Sequence, residues 1–143
     1  MFAPKPNAVP GVANGRLASC SSRPNCVSSV AADPGHYVSP IAYSERGDAA
    51  FARLRALIES LTGASIIAFA PPYMHAEFKS RVFGFVDDVE CLLDAVDRRI
   101  HIRSASRVGH YDFGANRKRV EDIRAQFSRQ SPGRRSTEPL GRK

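Results

Sequence analysis

The residues of this 143-residue chain best suited to chemistry gather in one stretch: Asp87, Arg103, Ser104, Ser106, Arg107, Asp112, Asn116 and Arg117. Guanidinium groups bind a carboxylate or an anionic headgroup, serines and an asparagine orient it, and Asp87 or Asp112 holds the arginines in place. As an enzyme, the same set would use Asp87 or Asp112 as general base and Arg107 as anion stabiliser. The plainer alternative is a structural network that fixes a helix against a sheet.

Other arrangements fail on context. Asp112-Phe113-Gly114 spells the magnesium motif of kinases, but the chain has neither the Gly-rich loop nor the His-Arg-Asp run that must accompany it. Ser104 or Ser106 would need a His base to act as a nucleophile, His110 is the near candidate, and no nucleophile elbow supports it. His75, Asp88, Glu90 and His101 fall on one sheet face and offer imidazole and carboxylate ligands, yet a solvated polar face is the simpler reading. Cys20 and Cys26 have no zinc spacing around them. No metal site and no cofactor is expected.

The elements that must position these groups follow from periodicity. Phe51, Leu54, Ile58 and Leu61 recur at helical spacing between Asp48 as N-cap and Gly63 beyond the end, predicting a helix over about 48–62. Val120, Ile123 and Phe127 mark a second helix that Asp112 can cap and that ends before Pro132-Gly133. Between them lie four strand candidates, near 64–70, 73–80, 83–95 and 98–106. In the third the odd positions Phe83, Phe85, Val89, Cys91 and Leu93 face the core. Its partners present Met74, Ala76, Phe78, Ile100 and Ile102.

Two-residue turns at Arg81-Val82 and Val96-Asp97 then set Phe78 opposite Phe85 and His75 opposite Asp88. They also set Cys91 opposite Ile102, Glu90 opposite Arg103 and Asp87 opposite Ser106. Arg103 becomes a cross-strand partner of Glu90 on the outward face. Asp87 lands on the inward face, where a lone carboxylate costs several kcal/mol, so it needs a partner among Ser104, Ser106, Arg107, Asn116, Arg117 and Arg119. The fold expected is α+β: a single-domain layer sandwich with an antiparallel, mainly four-stranded sheet, two helices on one face and the N-terminal segment along an edge.

Composition bounds the rest. Hydrophobic residues are 43% and charged residues 24% of the chain, values of an ordinary globular domain, and no apolar run is long enough for a membrane helix. The net charge is +7, of which residues 1–20 carry +2 and residues 129–143 carry +4. Nucleic acid is therefore not expected as a partner of the core, and weak binding through the basic second helix and tail is a third functional reading. Residues 1–19 and 129–143 are Pro- and Gly-broken and poor in large apolar groups, so both are expected to be disordered around one domain at 20–128.

Leu17-Ala18-Ser19-Cys20 spells a lipoprotein cleavage site, but the preceding NAVPGVANGR is no apolar leader, so a cytoplasmic location is expected as written. A longer N-terminus would place the chain in a cell envelope or plastid. Without a leader, Cys20 and Cys26 are read as free thiols, the disulfide being the alternative in an oxidising compartment, and Cys91 as a buried hydrophobe.

Four stretches together carry a family resemblance: Asn25-Cys26-Val27-Ser28-Ser29, Phe83-Gly84-Phe85-Val86-Asp87-Asp88-Val89-Glu90, Arg103-Ser104-Ala105-Ser106-Arg107, and Asp112 through Glu121. Over about residues 20–128 the chain resembles a family catalogued only as domain of unknown function 1499. The resemblance implies no reaction. Some relatives look like envelope lipoproteins or plastid proteins, and where the family pattern has Pro after the first Cys this chain has Ser21. The function expected is a non-enzymatic module that binds a small anionic or amphipathic ligand or a partner, with the acid/base enzyme second. Its oligomeric state is not legible.

Overall fold

The computed structural model describes residues 10–81, 84–109 and 112–130. In chain order the elements are β1 (Val12–Ala13), β2 (Arg16–Leu17), β3 (Cys26–Ser28), β4 (Ile41–Ala42), α1 (Gly47–Glu59), β5 (Ala64–Ala70), β6 (Tyr73–Lys79), β7 (Val86–Asp94), β8 (Arg99–Ser106) and α2 (Ala115–Arg129). The protein is α+β. Its main sheet runs β3-β8-β7-β6-β5 with β4 also on β8, and β1 and β2 form a separate hairpin.

The sheet thus has six strands rather than the four expected. The two extra strands, three and two residues long, are too short to show a period of two. They pair antiparallel with β8 and place the N-terminal part of the fold along that edge.

The inward face is the one expected. Met74, Ala76, Phe78, Val89, Cys91, Ile100 and Ile102 are buried in one cluster with Phe51, Leu54 and Ile58 of α1 and Val120, Ile123 and Phe127 of α2. Arg53 locks the two helices together: its guanidinium lies 3.6 Å over the Phe127 ring and donates to the carbonyls of Phe127 and Gln130, orphan acceptors at the end of α2. Helix α1 begins one residue earlier than expected, with Arg46 at the cap and Asp48 in the first turn. Beyond its end, Gly63 has φ +83°, and a Cβ there would stand 2.6 Å from the Lys79 carbonyl oxygen, so β5 reaches β6 only through glycine.

The β7–β8 register is the expected one, with Cys91 opposite Ile102, Glu90 opposite Arg103 and Asp87 opposite Ser106. The β6–β7 register is displaced by two residues: Phe78 faces Asp87 and His75 faces Glu90. The cause is a longer connection, in which the Ser80 N–H donates to the Phe85 carbonyl and the Gly84 N–H to the Ser80 carbonyl, so that β7 starts at Val86. A slip of two preserves every inward residue of the paired strands but moves Phe85 out of the core, where it is 55% exposed. The expected turn residue Val82, and Phe83, lie outside the described residues.

The outward face of the sheet is not the solvated surface expected. The β1–β2 hairpin lies over β7 and β8, although residues 10–19 were expected to be disordered with the rest of 1–19. Leu17 is buried, and beneath the hairpin Glu90 and Arg103 are 0% and 1% exposed. Arg103 Nη1 donates to Glu90 Oε1 at 3.3 Å and Nη2 to the Ser19 carbonyl, while Glu90 Oε2 accepts from the Tyr73 hydroxyl and the Gly11 N–H.

Cys20 and Cys26 form a disulfide, not the free thiols expected, because the chain doubles back from the hairpin into β3 and brings their Cα atoms to 5.6 Å. Cys91 is free and buried. The low apolar content of residues 10–19 hid this cover, since what it buries is mostly an ion pair. Residues 1–9 and 131–143 lie outside the described residues.

Removing one member of a buried ion pair strands the other without water. Arg103→Met is expected to destabilise the fold by about 3–5 kcal/mol, and adding Glu90→Gln to recover much of that loss. Chemical denaturation of the two variants checks it, and a single-variant loss below 1 kcal/mol would contradict the burial of the pair.

Candidate functional site

The side chains grouped by sequence divide between the two faces of the sheet. On the helix side, Asp87 projects from β7 and pairs with Arg119 of α2, Oδ2 to Nη1 at 2.9 Å, both side chains being largely buried. Arg119 Nη1 also reaches Asn116 Oδ1 at 2.8 Å and Ser104 Oγ at 3.2 Å, and its guanidinium sits 4.8 Å over the Phe78 ring. The Ser104 hydroxyl donates to Asn116 Oδ1, and the Asn116 amide donates to Ser106 Oγ, Asp112 Oδ2 and the Asn25 carbonyl. Asp112 caps α2 in function, although Gly114 holds the cap position. Its oxygens accept from the Gly114 and Asn116 N–H groups, which places a negative charge at the helix N-terminus.

Asp87, Ser104, Ser106, Asp112 and Asn116 therefore come together as expected, and the partner of Asp87 is Arg119. Three arginines of the expected cluster do not join them. Arg103 lies under the hairpin. Arg117 donates to the carbonyls of Gly35 and Tyr37 and fastens the segment before β4. Arg107 turns to the outward face, where Nε and Nη2 donate to both oxygens of Asp88 at 2.8 Å and Nη2 also meets Glu77. The reason is strand alternation: past the end of β8 the side chain at 107 continues the odd, outward series of Arg103.

The imidazole and carboxylate set expected as a metal alternative is likewise divided. His75 bonds Asp88 at 2.7 Å, but Glu90 belongs to Arg103, and His101 lies with Ser29 and Asp94. His75, Glu77 and Asp88 do converge, with ligand atoms within 4.8 Å of one another, and the guanidinium of Arg107 already bonds both carboxylates and offsets one of their two charges. Burial works against the Asp88 charge, yet the hydrogen bonds from Arg107 and His75 outweigh it and hold the carboxyl down at about 2.

Cavities lie at both ends of β7 and β8. The one beside Asp87 has a volume of about 610 Å3, with Asp87, Ser106 and Arg119 in its wall and an otherwise mainly apolar lining. Phe78 and Val86 lie deeper, while Phe85, Val108 and Phe113 stand around the mouth at 55%, 58% and 86% exposure. Lys79 and Arg81 complete the wall at the end of β6. Sequence reading missed these two cations because their relation to Asp87 depends on the longer β6–β7 connection. His110, considered as a base, lies outside the described residues.

The second cavity, about 650 Å3, lies between the hairpin and the far end of β7 and β8, with Arg16, Ser29, Asp94 and His101 in its wall. Ser29 Oγ and His101 Nδ1 are 2.9 Å apart, but the same Oγ accepts the Ile102 N–H, and Asp94 is 4.0 Å from Nε2. Burial holds the His101 pKa below its ordinary value, with Asp94 opposing. Ser29 is thus a stitch between the chain after β3 and β8, and nothing in the period-two pattern signalled it.

The depressed Asp88 carboxyl sets a pH dependence. Because its folded pKa lies below the unfolded value, its stabilisation is complete above about pH 4 and is lost as pH falls toward 2. Arg107→Gln is expected to remove about 1–2 kcal/mol of stability above pH 4 and to change little near pH 2, as read from urea midpoints across that range. An unchanged acid limb would show that the Arg107 bonds contribute nothing.

No curated protein and no solved structure matches the chain significantly. The model of the family described as Protein of unknown function (DUF1499) matches residues 16–127, which takes in β2 through most of α2 and both faces of the Asp87–Glu90 segment. The chain belongs to this family.

Proposed function

We propose that the protein is a binding module whose site is the cavity beside Asp87, and that it takes a small ligand or a partner's side chain there without chemistry on it. The observation that carries this reading is the cavity itself: about 610 Å3, mainly apolar in lining, with a few convergent polar groups, the form usual for small-molecule sites. The acid/base reading has less support. Asp87 is held by Arg119, Asp112 is engaged by the first turn of α2, and Arg107 faces the other side of the sheet.

Ala115 is exposed, lines this cavity and occupies the first turn of α2, so a large side chain there fills the mouth without entering the core. In a small-molecule screen followed by amide chemical-shift mapping, ligands are expected to perturb Phe78, Val86, Asp87 and Ser106. Ala115→Trp is expected to weaken them by tenfold or more at an unchanged melting temperature. Hits that map instead to His101 and Ser29 would move the site to the other cavity.

We propose also that the protein works in an oxidising compartment, a cell envelope or plastid lumen rather than the cytoplasm. The Cys20–Cys26 disulfide supports this, since such bonds are uncommon where thiols are kept reduced. The bridge closes a short loop, six residues apart, at the root of the hairpin that covers Glu90 and Arg103. Reduction is expected to lower stability by about 2 kcal/mol. Thiol counting by mass spectrometry on protein purified from its native host tests the compartment: two free thiols at Cys20 and Cys26 would refute it.

A further inference from the structure

The reading of the Asp87 cavity as a ligand site leaves the chemical class of the ligand open, and the wall narrows it. It contains three cations, Lys79, Arg81 and Arg119, and two carboxylates, Asp87 and Asp112. Both carboxylates are already engaged. Asp87 is paired at 2.9 Å with Arg119, and Asp112 accepts from the Gly114 and Asn116 N–H groups and the Asn116 amide. Neither has a strong reason to attract a ligand cation.

The two cations outside this network lie at the end of β6. Among the described residues neither Lys79 nor Arg81 has an ion-pair partner or a side-chain hydrogen bond. They adjoin an apolar interior, with Phe78 and Val86 deeper and Phe85, Val108 and Phe113 at the mouth. A small inorganic anion would satisfy the cations and leave that surface in water. A neutral apolar ligand would cover the surface and leave the cations uncompensated. A molecule with an alkyl body and one anionic end does both at once.

Resting on that reading, we propose that the ligand is a single-chain anionic amphiphile, its alkyl body in the cavity beside Asp87 and its acidic end at Lys79 and Arg81. The anion-binding role expected of Arg103 and Arg107 passes to these two residues, because the former pair is spent on Glu90, Asp88 and Glu77.

The test is displacement of a neutral fluorescent probe, N-phenyl-1-naphthylamine, from the full-length protein at amphiphile concentrations below micelle formation. Dodecanoate is expected to displace the probe about tenfold more tightly than dodecyltrimethylammonium, and the difference to shrink with added salt. Lys79→Glu with Arg81→Glu, both exposed positions, is expected to invert that preference, while Ala115→Trp abolishes probe binding.

If the probe binds and Ala115→Trp blocks it, but the two amphiphiles compete equally or the charge reversal changes nothing, the ligand class is overturned and the cavity stands as a site. If the probe does not bind, or Ala115→Trp has no effect on it, the binding reading falls together with the class. If monomeric dodecanoate fails to displace a probe that Ala115→Trp excludes, the single-chain anionic ligand is overturned; displacement by the monomer supports it.

Discussion

Strand β7 carries four carboxylates, Asp87, Asp88, Glu90 and Asp94, and it runs through the middle of a sheet covered on both faces. A carboxylate that loses water without a partner costs several kcal/mol, so the three that are largely buried, Asp87, Asp88 and Glu90, dictate something beyond their own strand. Asp87 on the helix side requires Arg119 and so fixes where α2 lies across β7 and β8. Asp88 and Glu90 on the other side require Arg107, His75 and Arg103, and the last of these pairs is sealed by the hairpin and the disulfide behind it. The apolar core supplies the bulk of the burial, but the charges on β7 decide which piece of chain goes where.

The two faces solve the same problem differently. On the outward face the Glu90–Arg103 pair is closed over; burial, and then the Glu90 carboxylate that accepts its hydrogen bond, raise the Tyr73 phenol far above its ordinary range, while burial lowers the Arg103 guanidinium against the opposing charge of Glu90. Such a closed network holds structure and offers nothing to a ligand. On the inward face the ion pair stands at the edge of the core, next to a connection between β6 and β7 that is two residues longer than a two-residue turn, with Ser80 and Phe85 hydrogen-bonded across it. The opening beside Asp87 follows from that length, since the residues of a two-residue turn would have carried β7 through Phe85 and filled the space with core.

The membership of the chain in a family without an assigned reaction makes the division between the faces useful. Of the polar residues concentrated in the family motifs, Arg103, Arg107, Ser29 and Asn25 are engaged by partners that hold strands and loops together. What adjoins the cavity beside Asp87 is a smaller set, Asp87, Ser106, Asp112 and Arg119, joined by Lys79 and Arg81 from the neighbouring strand end. A cluster in sequence is therefore a poor guide to a cluster in space wherever a strand is involved, because alternate residues leave in opposite directions.

Local pattern determined the two helices, the four long strands, the inward face of β6, β7 and β8 and the register of β7 against β8. Those features follow from the spacing of apolar residues at periods of 3.6 and 2, a property of the chain alone. From the same spacing came the inward placing of Asp87, its need for a partner, and its company with Ser104, Ser106, Asp112 and Asn116. Only the tertiary structure decided that the partner is Arg119, that Arg103 is buried rather than exposed, that Cys20 meets Cys26, and that residues 10–19 cover the sheet. Each of these depends on a contact between segments far apart in sequence or on the length of an irregular connection, and neither leaves a periodic trace in the residues themselves.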